Sequence, residues 1–286
     1  MPSGTSHRFV MRLVGIGGRP FIDLSFLLEG VDLEAIDDEV CFGLTRVEPW
    51  YTGGSLKWMG VVAPSVAEDP YADYGHVIAA FSREERERFV SLAEDPSVFD
   101  PARLDEYVFG DETDHPLSKA QMVYLKLKYG VYFPWKVVFH LVENQRWDDK
   151  HSGSGKGFVP DALEHFPRTV ELIRSLPFRE IGRCVLFGLE ANDHAPLHRD
   201  SEPGRAESVA QSISICPRGN KRFFLTDPAE REKTYVGSRA YWFNDADYHG
   251  VEPDPFFRYS IRVDGVFEPS FLRRIAAPAA RRERVR

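Results

Sequence analysis

The spacing of apolar positions changes near residue 180. Before it, several stretches repeat at helical intervals. Residues 82–93 (SREERERFVSLA) open with Ser and place Glu three positions later, the capping-box signature of a helix start. Residues 117–129 read as a second helix. Residues 159–176 (VPDALEHFPRTVELIRSL) read as one helix with Phe166, Val170 and Ile173 on a common face, which Pro167 kinks or divides. Between these, residues 9–16, 39–47 and 56–62 carry β-branched and aromatic side chains bounded by Gly and Pro, and read as strands.

From residue 180 the period becomes two. IGRCVLFGLE, HAPLHRD, SVAQSISICP, KRFFLTD, KTYVGSRAYWFND and FRYSIRVDGVF follow one another with Gly, Pro, Asn or Asp between most of them. Many short strands at even spacing imply a sandwich or closed barrel. The expected fold is mainly β with added α-helices: a double-stranded β-helix, that is, a cupin-like jelly roll, with helices on its outer face. The expected organisation is one domain over 1–286. In it, residues 1–135 form a helical and strand elaboration, 136–272 the jelly-roll core, and 273–286 a basic, solvated tail. Residues 147–158 (WDDKHSGSGKGF) hold three glycines and two serines and fit neither glycine-rich phosphate pattern, so they read as a mobile surface loop, either a lid or an ordinary connection.

Composition narrows the partners. With 36 basic against 44 acidic side chains the formal net charge is −8, which argues against a general nucleic-acid or anionic-membrane binder. Cys41, Cys184 and Cys216 are far apart and indicate neither a disulfide framework nor a thiolate zinc site. No signal-like segment and no long apolar window is evident. The expectation is a cytoplasmic protein acting on a small molecule, with no nucleic-acid or membrane partner; its oligomeric state is left open.

Of nine histidines, His7, His76, His115, His140, His151 and His165 have no partner at metal-ligand spacing and default to surface or satisfied core positions. His198 differs: in L-H-R-D, a strand's period of two aims His198 and Asp200 at one face. His249 follows several strands later, in F-N-D-A-D-Y-H-G-V. Two imidazoles and one carboxylate make the facial triad suited to non-haem Fe(II), because three protein donors leave three octahedral positions open. Arg258 lies nine residues after His249, and Arg262, four further along the same strand face, is its rival for a carboxylate. His194 is excluded as the helical partner of His198 by Pro196 between them. Phe223, Phe224, Tyr241, Trp242 and Phe243 read as core rather than as a substrate cage. Arg146 and Trp147 are candidate substrate contacts, with surface decoration as the competing reading.

Through F-P-R-T-V-E-L-I-R-S-L-P, I-G-R-C-V-L-F-G-L-E, H-R-D-S-E-P, S-I-C-P-R-G-N, F-N-D-A-D-Y-H-G-V and R-Y-S-I-R-V-D, residues 166–267 resemble the 2-oxoglutarate- and Fe(II)-dependent oxygenases. Within these, the resemblance is to the aspartyl/asparaginyl β-hydroxylase-like branch with its cis-proline hydroxylase type. The resemblance implies His198, Asp200 and His249 as catalytic iron ligands, 2-oxoglutarate and O2 as cosubstrates, and Arg258 as partner of the distal carboxylate. It also places Gln211 as a polar cosubstrate contact. Asp200 stands where halogenases of this branch carry a small residue, so hydroxylation or another C–H oxidation is implied rather than halogenation. The expected substrate is an amino acid or an amino-acid-derived metabolite. The alternatives are a protein or peptide Asp/Asn-type β-hydroxylase, and a cupin-like metal protein that does not use 2-oxoglutarate. The first 150 or so residues match no family and are expected to hold much of the specificity.

Overall fold

The computed structural model describes residues 13–51, 74–109, 115–133, 136–144, 146, 149–201, 204, 209–227 and 232–276. Three strands precede the main β region: β1 (Phe21–Asp23), β2 (Trp50–Tyr51) and β3 (Lys136–His140). Eight more follow: β4 (Phe178–Leu189), β5 (Ala195–His198), β6 (Ser212–Ile215), β7 (Phe223–Thr226), β8 (Lys233–Tyr235), β9 (Ala240–Phe243), β10 (Tyr248–Val251) and β11 (Arg258–Phe267). They form a seven-stranded sheet in the order β1-β9-β6-β11-β4-β3-β2 and a four-stranded sheet in the order β5-β10-β7-β8. From β4 to β11 the chain changes sheet at every connection except β7 to β8, and every pairing is antiparallel. That alternation is the jelly roll the strand spacing predicts, extended on the larger sheet by β1 at one edge and β3 and β2 at the other.

Strand β11 shows how the two faces divide. Tyr259, Ile261 and Val263 point outward into a core shared with Val170, Leu172 and Ile173 of α6 (Pro167–Ser175) and with Ile36 and Val40 of α1 (Leu33–Gly43). Each such fully buried Ile or Val contributes roughly 1.5–3 kcal/mol. Arg258, Ser260, Arg262 and Asp264, the alternate residues, take the opposite, inward face. The inner face of the larger sheet is therefore polar because it lines a chamber, and its outer face is apolar because helices cover it.

Residues 39–47 depart from the strand expectation. Residues 33–43 are α1, started by the Asp32 side chain accepting from Ala35 N–H, with Ile36, Val40 and Gly43 on the buried side. The cap and the i, i+4, i+7 burial outweigh the local β-branched content. The expected strand at 56–62 lies outside the described residues. Both helix starts seen in the sequence carry capping boxes: Ser82 with Glu85 on α3 (Arg83–Val90), and Ser118 with Gln121 on α4 (Lys119–Tyr129). Pro167 divides the predicted long helix into α5 (Pro160–His165) and α6. KTYVGSRAYWFND is two strands, β8 and β9, which belong to different sheets. Helices α2 (Tyr74–Ala79), α3 and α4 gather around their own aromatic cluster, where Phe89 stands edge-on to Phe81 and Phe109. Of the expected tail, residues 273–276 form the end of α7 (Pro269–Ala276) and the rest lies outside the described residues. No helix among the described residues is long and apolar enough to cross a membrane.

Residues 149–158 of the glycine-rich segment are tied down. Gly182 of β4 sits so close to the Lys150 carbonyl that a Cβ there would lie 2.3 Å from its oxygen. Asn144 donates to Asp149 O and Gly182 O, Gly153 N–H to Glu180, and Lys156 to Asp149 O and Ser152 O.

Candidate metal centre

His198, the last residue of β5, lies directly opposite His249 of β10 in the antiparallel register, with ring centroids 4.3 Å apart. Asp200 follows β5 by two residues, and its Oδ1 is 3.4 Å from His198 Nε2 and 3.7 Å from His249 Nε2. Metal–ligand bonds of about 2.1 Å at right angles separate donor atoms by about 3 Å, so the two Asp200–histidine separations are within an ångström of the octahedral value, and all three donor atoms lie within 4.8 Å of one another. The second ring nitrogens fix the tautomers. His198 Nδ1 lies 2.7 Å from Pro196 O and His249 Nδ1 2.8 Å from Asp247 O. A carbonyl only accepts, so each Nδ1 carries the proton and each Nε2 presents its lone pair to the site. Burial, helped by the neighbouring His249, pushes His198 down to about 4, which keeps it a neutral donor near pH 7. Burial alone would raise the Asp200 carboxyl, but the two histidines and Arg262 hold it well below the usual range.

The second oxygen of Asp200 is taken by Arg262, whose Nη1 donates to Oδ2 at 3.0 Å. Arg262 Nε donates to Asp264 Oδ1 at 3.1 Å, and Asp264 Oδ2 accepts from Arg183 Nε and Nη2 at 3.1 and 2.8 Å. These groups share the inner face because Arg183 pairs with Asp264 across β4 and β11.

The turn between β9 and β10, N-D-A-D at 244–247, organises the ligand loops. Asp245 O accepts from the backbone N–H groups of Asp200 and Ser201, while its carboxylate accepts from Ser201 Oγ at 2.9 Å and from Lys150 Nζ at 2.7 Å. Asp247 accepts from the backbone N–H of Val14 and Gly15 at 2.6 and 2.8 Å, and Asn244 donates to Gly15 O. Phe223 and Phe243 pack against the His249 ring. The predicted aromatic set is buried core, as expected, and two of its members wall the site.

A second polar group lies further along β11. Arg258 is fully buried, and its guanidinium donates to the carbonyls of Glu190, Asp193, Asp254 and Phe256; its Nε has no acceptor among the described residues. One inward step on, Ser260 Oγ accepts from Lys221 Nζ at 2.5 Å. The Lys221 ammonium also lies 5.6 Å from the centre of the Phe187 ring, which faces inward opposite Ser260. Burial lowers Lys221 to about 8. Ser260 shares the period-two face of Arg258 and Arg262, a signal present in R-Y-S-I-R. Lys221 sits in the β6–β7 turn and carries no such signal.

The remaining candidates fall elsewhere. Arg262 reaches the Asp200 carboxylate. Gln211 accepts from Phe267 N–H through Oε1 at 2.5 Å and is not brought to the triad. His194 stacks on Tyr132, with ring centres 4.7 Å apart, away from the ligand set. Arg146 is exposed, and Trp147 lies outside the described residues. His140, read as a default histidine, faces inward in the same cross-strand row as Val185 and Arg262.

No family model matches the chain, and no curated protein matches it. Among solved structures it is similar to a 2OG-Fe(II) oxygenase family oxidoreductase from Burkholderia pseudomallei, at 15% identity and TM-score 0.29, over 45% of this chain and 67% of that one. A Pseudomonas putida prolyl-4-hydroxylase is similar at 10% identity and TM-score 0.28, over 47% of this chain and 74% of that one. A Trichoplax adhaerens prolyl hydroxylase is similar at 12% identity and TM-score 0.27, over 50% and 67%. Overlaps this slight carry no weight for the chemistry, which rests on the residues themselves.

Proposed function

We propose that the protein is a non-haem Fe(II)- and 2-oxoglutarate-dependent dioxygenase that hydroxylates, or otherwise oxidises, a C–H bond of a small substrate, an amino acid or a metabolite derived from one. The observation that carries this reading is the convergence of His198 Nε2, His249 Nε2 and Asp200 Oδ1, with tautomers fixed by backbone carbonyls, inside a jelly roll. The donor set fits Fe(II): two neutral imidazoles and one carboxylate, with room for three further ligands. When bound, Fe(II) with 2-oxoglutarate and O2 supplies oxidative decarboxylation to succinate and CO2, coupled to transfer of one oxygen atom to the substrate C–H bond.

The chain's own residues do the rest. Asp245 holds the Asp200 loop through its carbonyl, and Asp247 O orients His249. Lys221 and Ser260 read the far carboxylate of the 2-oxo acid. Ser260 is one inward step, about 6.6 Å of strand, from the Arg262 that touches Asp200, a separation suited to a short dicarboxylate. Arg258 forms the floor beneath them, with its Nε–H as a further donor. The case for a small substrate rests on burial: the ligand side chains are only 5–8% exposed, so the reacting carbon must enter the barrel.

The test is succinate release by purified protein with Fe(II), ascorbate and 2-oxoglutarate, run against pools of free amino acids, their derivatives and Asp- or Asn-containing peptides. Stimulation by an amino-acid pool supports the reading. Stimulation by peptides alone replaces the substrate class, and absence of 2-oxoglutarate binding to the metal-loaded protein overturns it.

A further inference from the structure

The two oxygens of Asp200 face different partners. Oδ1 points at the histidine nitrogens, while Oδ2 lies 3.0 Å from Arg262 Nη1. Arg262 is not a loose surface side chain that happens to reach the site. It lies on β11 between Ile261 and Val263, both fully buried in the outer core, and its Nε is anchored on Asp264, itself gripped twice by Arg183. The guanidinium thus comes to Oδ2 from a rigid sheet, through two successive ion pairs of 3.1 and 2.8 Å.

An unrestrained carboxylate can offer a cation one oxygen or two. With two, only two of the three remaining octahedral positions stay open, and a chelating 2-oxo acid fills both. With one, a position is left beside the chelate. We propose that Arg262 is a positioning residue that restricts Asp200 to one-oxygen ligation and so keeps open the metal position a third, small ligand needs. This inference rests on the dioxygenase reading and assigns Arg262 a role distinct from binding the 2-oxo acid. A charge-assisted hydrogen bond from a fork held on a second carboxylate is well suited to it, because rotating Asp200 to chelate would break that bond inside the barrel.

The experiment reads ligand occupancy without turnover. Wild type, Arg262→Leu and Arg262→Lys are loaded anaerobically with Fe(II) and 2-oxoglutarate, then titrated with nitric oxide as an inert diatomic probe, followed by electron paramagnetic resonance. Fe(II) affinity is measured separately, and circular dichroism checks the fold. Arg262→Leu should hold Fe(II) within about threefold of wild type yet bind nitric oxide about tenfold or more weakly, the scale on which partners of metal ligands act. Arg262→Lys, which retains a donor to Oδ2, should recover part of the loss. Wild-type nitric oxide binding by folded Arg262→Leu overturns the inference. So does loss of Fe(II) itself, which would make Arg262 a general support of the site. If Arg262→Leu does not fold, Arg262→Lys alone decides: an affinity equal to wild type or intermediate agrees, and complete loss with Fe(II) retained overturns. Wild type that takes up no Fe(II), or His249→Ala that takes it up equally, defeats the dioxygenase reading and this inference together.

Discussion

Arg262 and Arg258 stand four residues apart on one strand and one face, yet meet opposite surroundings. Around Arg262 every named cation has a carboxylate: Arg262 has Asp200, Arg183 has Asp264, and Lys150 has Asp245 at 2.7 Å. Around Arg258 the hydrogen-bond partners are neutral. The guanidinium meets four backbone carbonyls and Lys221 meets a hydroxyl. A buried charge without a counter-charge is costly. One end of the strand therefore holds its counter-charges in direct hydrogen bonds, whereas at the other the Asp254 and Asp193 carboxylates act on Arg258 only through space, and the proposed 2-oxo acid would supply the direct partner. The residue type alone does not distinguish the two roles.

The largest expected effect tests the paired end. His198→Ala and His249→Ala should each abolish Fe(II) uptake and turnover while the apo-protein stays folded, and His194→Ala should keep its iron; titration with Fe(II) and a melting curve check all three. Full activity in His249→Ala would end the assignment.

The end with neutral hydrogen-bond partners comes next. Removing one partner of a buried ion pair costs roughly 3–5 kcal/mol, so Lys221→Ala should raise the 2-oxoglutarate requirement about a hundredfold at unchanged Fe(II) affinity. Arg258→Ala should instead lower the melting temperature first, because it orphans carbonyls in the β4–β5 and β10–β11 turns. Binding and melting measurements on both variants sharpen the contrast. If Arg258→Ala shows the large binding loss and Lys221→Ala none, the reading cation is Arg258.

A smaller effect is a pH profile. Burial lowers Lys221 to about 8, so it is charged below that pH and neutral above it. A carboxylate binds the charged form. The affinity for 2-oxoglutarate should therefore be flat below about pH 8 and fall by up to about tenfold per unit above it. Lys221→Arg should stay flat into the alkaline range, and a flat wild-type profile would remove Lys221 from the carboxylate site. The smallest signal is product chemistry: in chloride buffer the wild type should yield no chlorinated product, since Asp200 occupies the position a halide would need, and mass spectrometry of the product reads this directly.

The strand periodicity after residue 180, the H-x-D step and the later His249 were legible because a sheet converts period two into a shared face. The helix over 33–43 was not, since E-V-C-F-G-L-T-R-V looks β-prone until the Asp32 cap and the burial of Ile36 and Val40 are known. Strand β3 lies outside the even spacing and is placed by its register on β4. The roles of Arg258, Arg262 and Gln211 depend on what each side chain meets across the barrel. Lys221 comes from a turn, where no period marks a face. The resemblance carries Arg258 and Gln211 over by position along the chain alone; what each side chain meets is visible only in the fold, where Arg258 donates to four backbone carbonyls and Gln211 accepts from the Phe267 N–H.

The bond from Val14 and Gly15 to Asp247 joins residues more than two hundred positions apart. Every metal-ligand candidate lies beyond residue 195, so a fragment beginning at β3 would contain the full donor set and most of the barrel. It would nevertheless lack the two N–H groups that satisfy the Asp247 carboxylate, two residues from His249. During synthesis the reverse holds: the amino-terminal segment emerges first and has nothing to fasten until the penultimate strand is made. The candidate metal centre is thus fastened by a segment far ahead of it in the chain, and removing residues 14–15 would reach the surroundings of His249 without altering any of the three candidate donors.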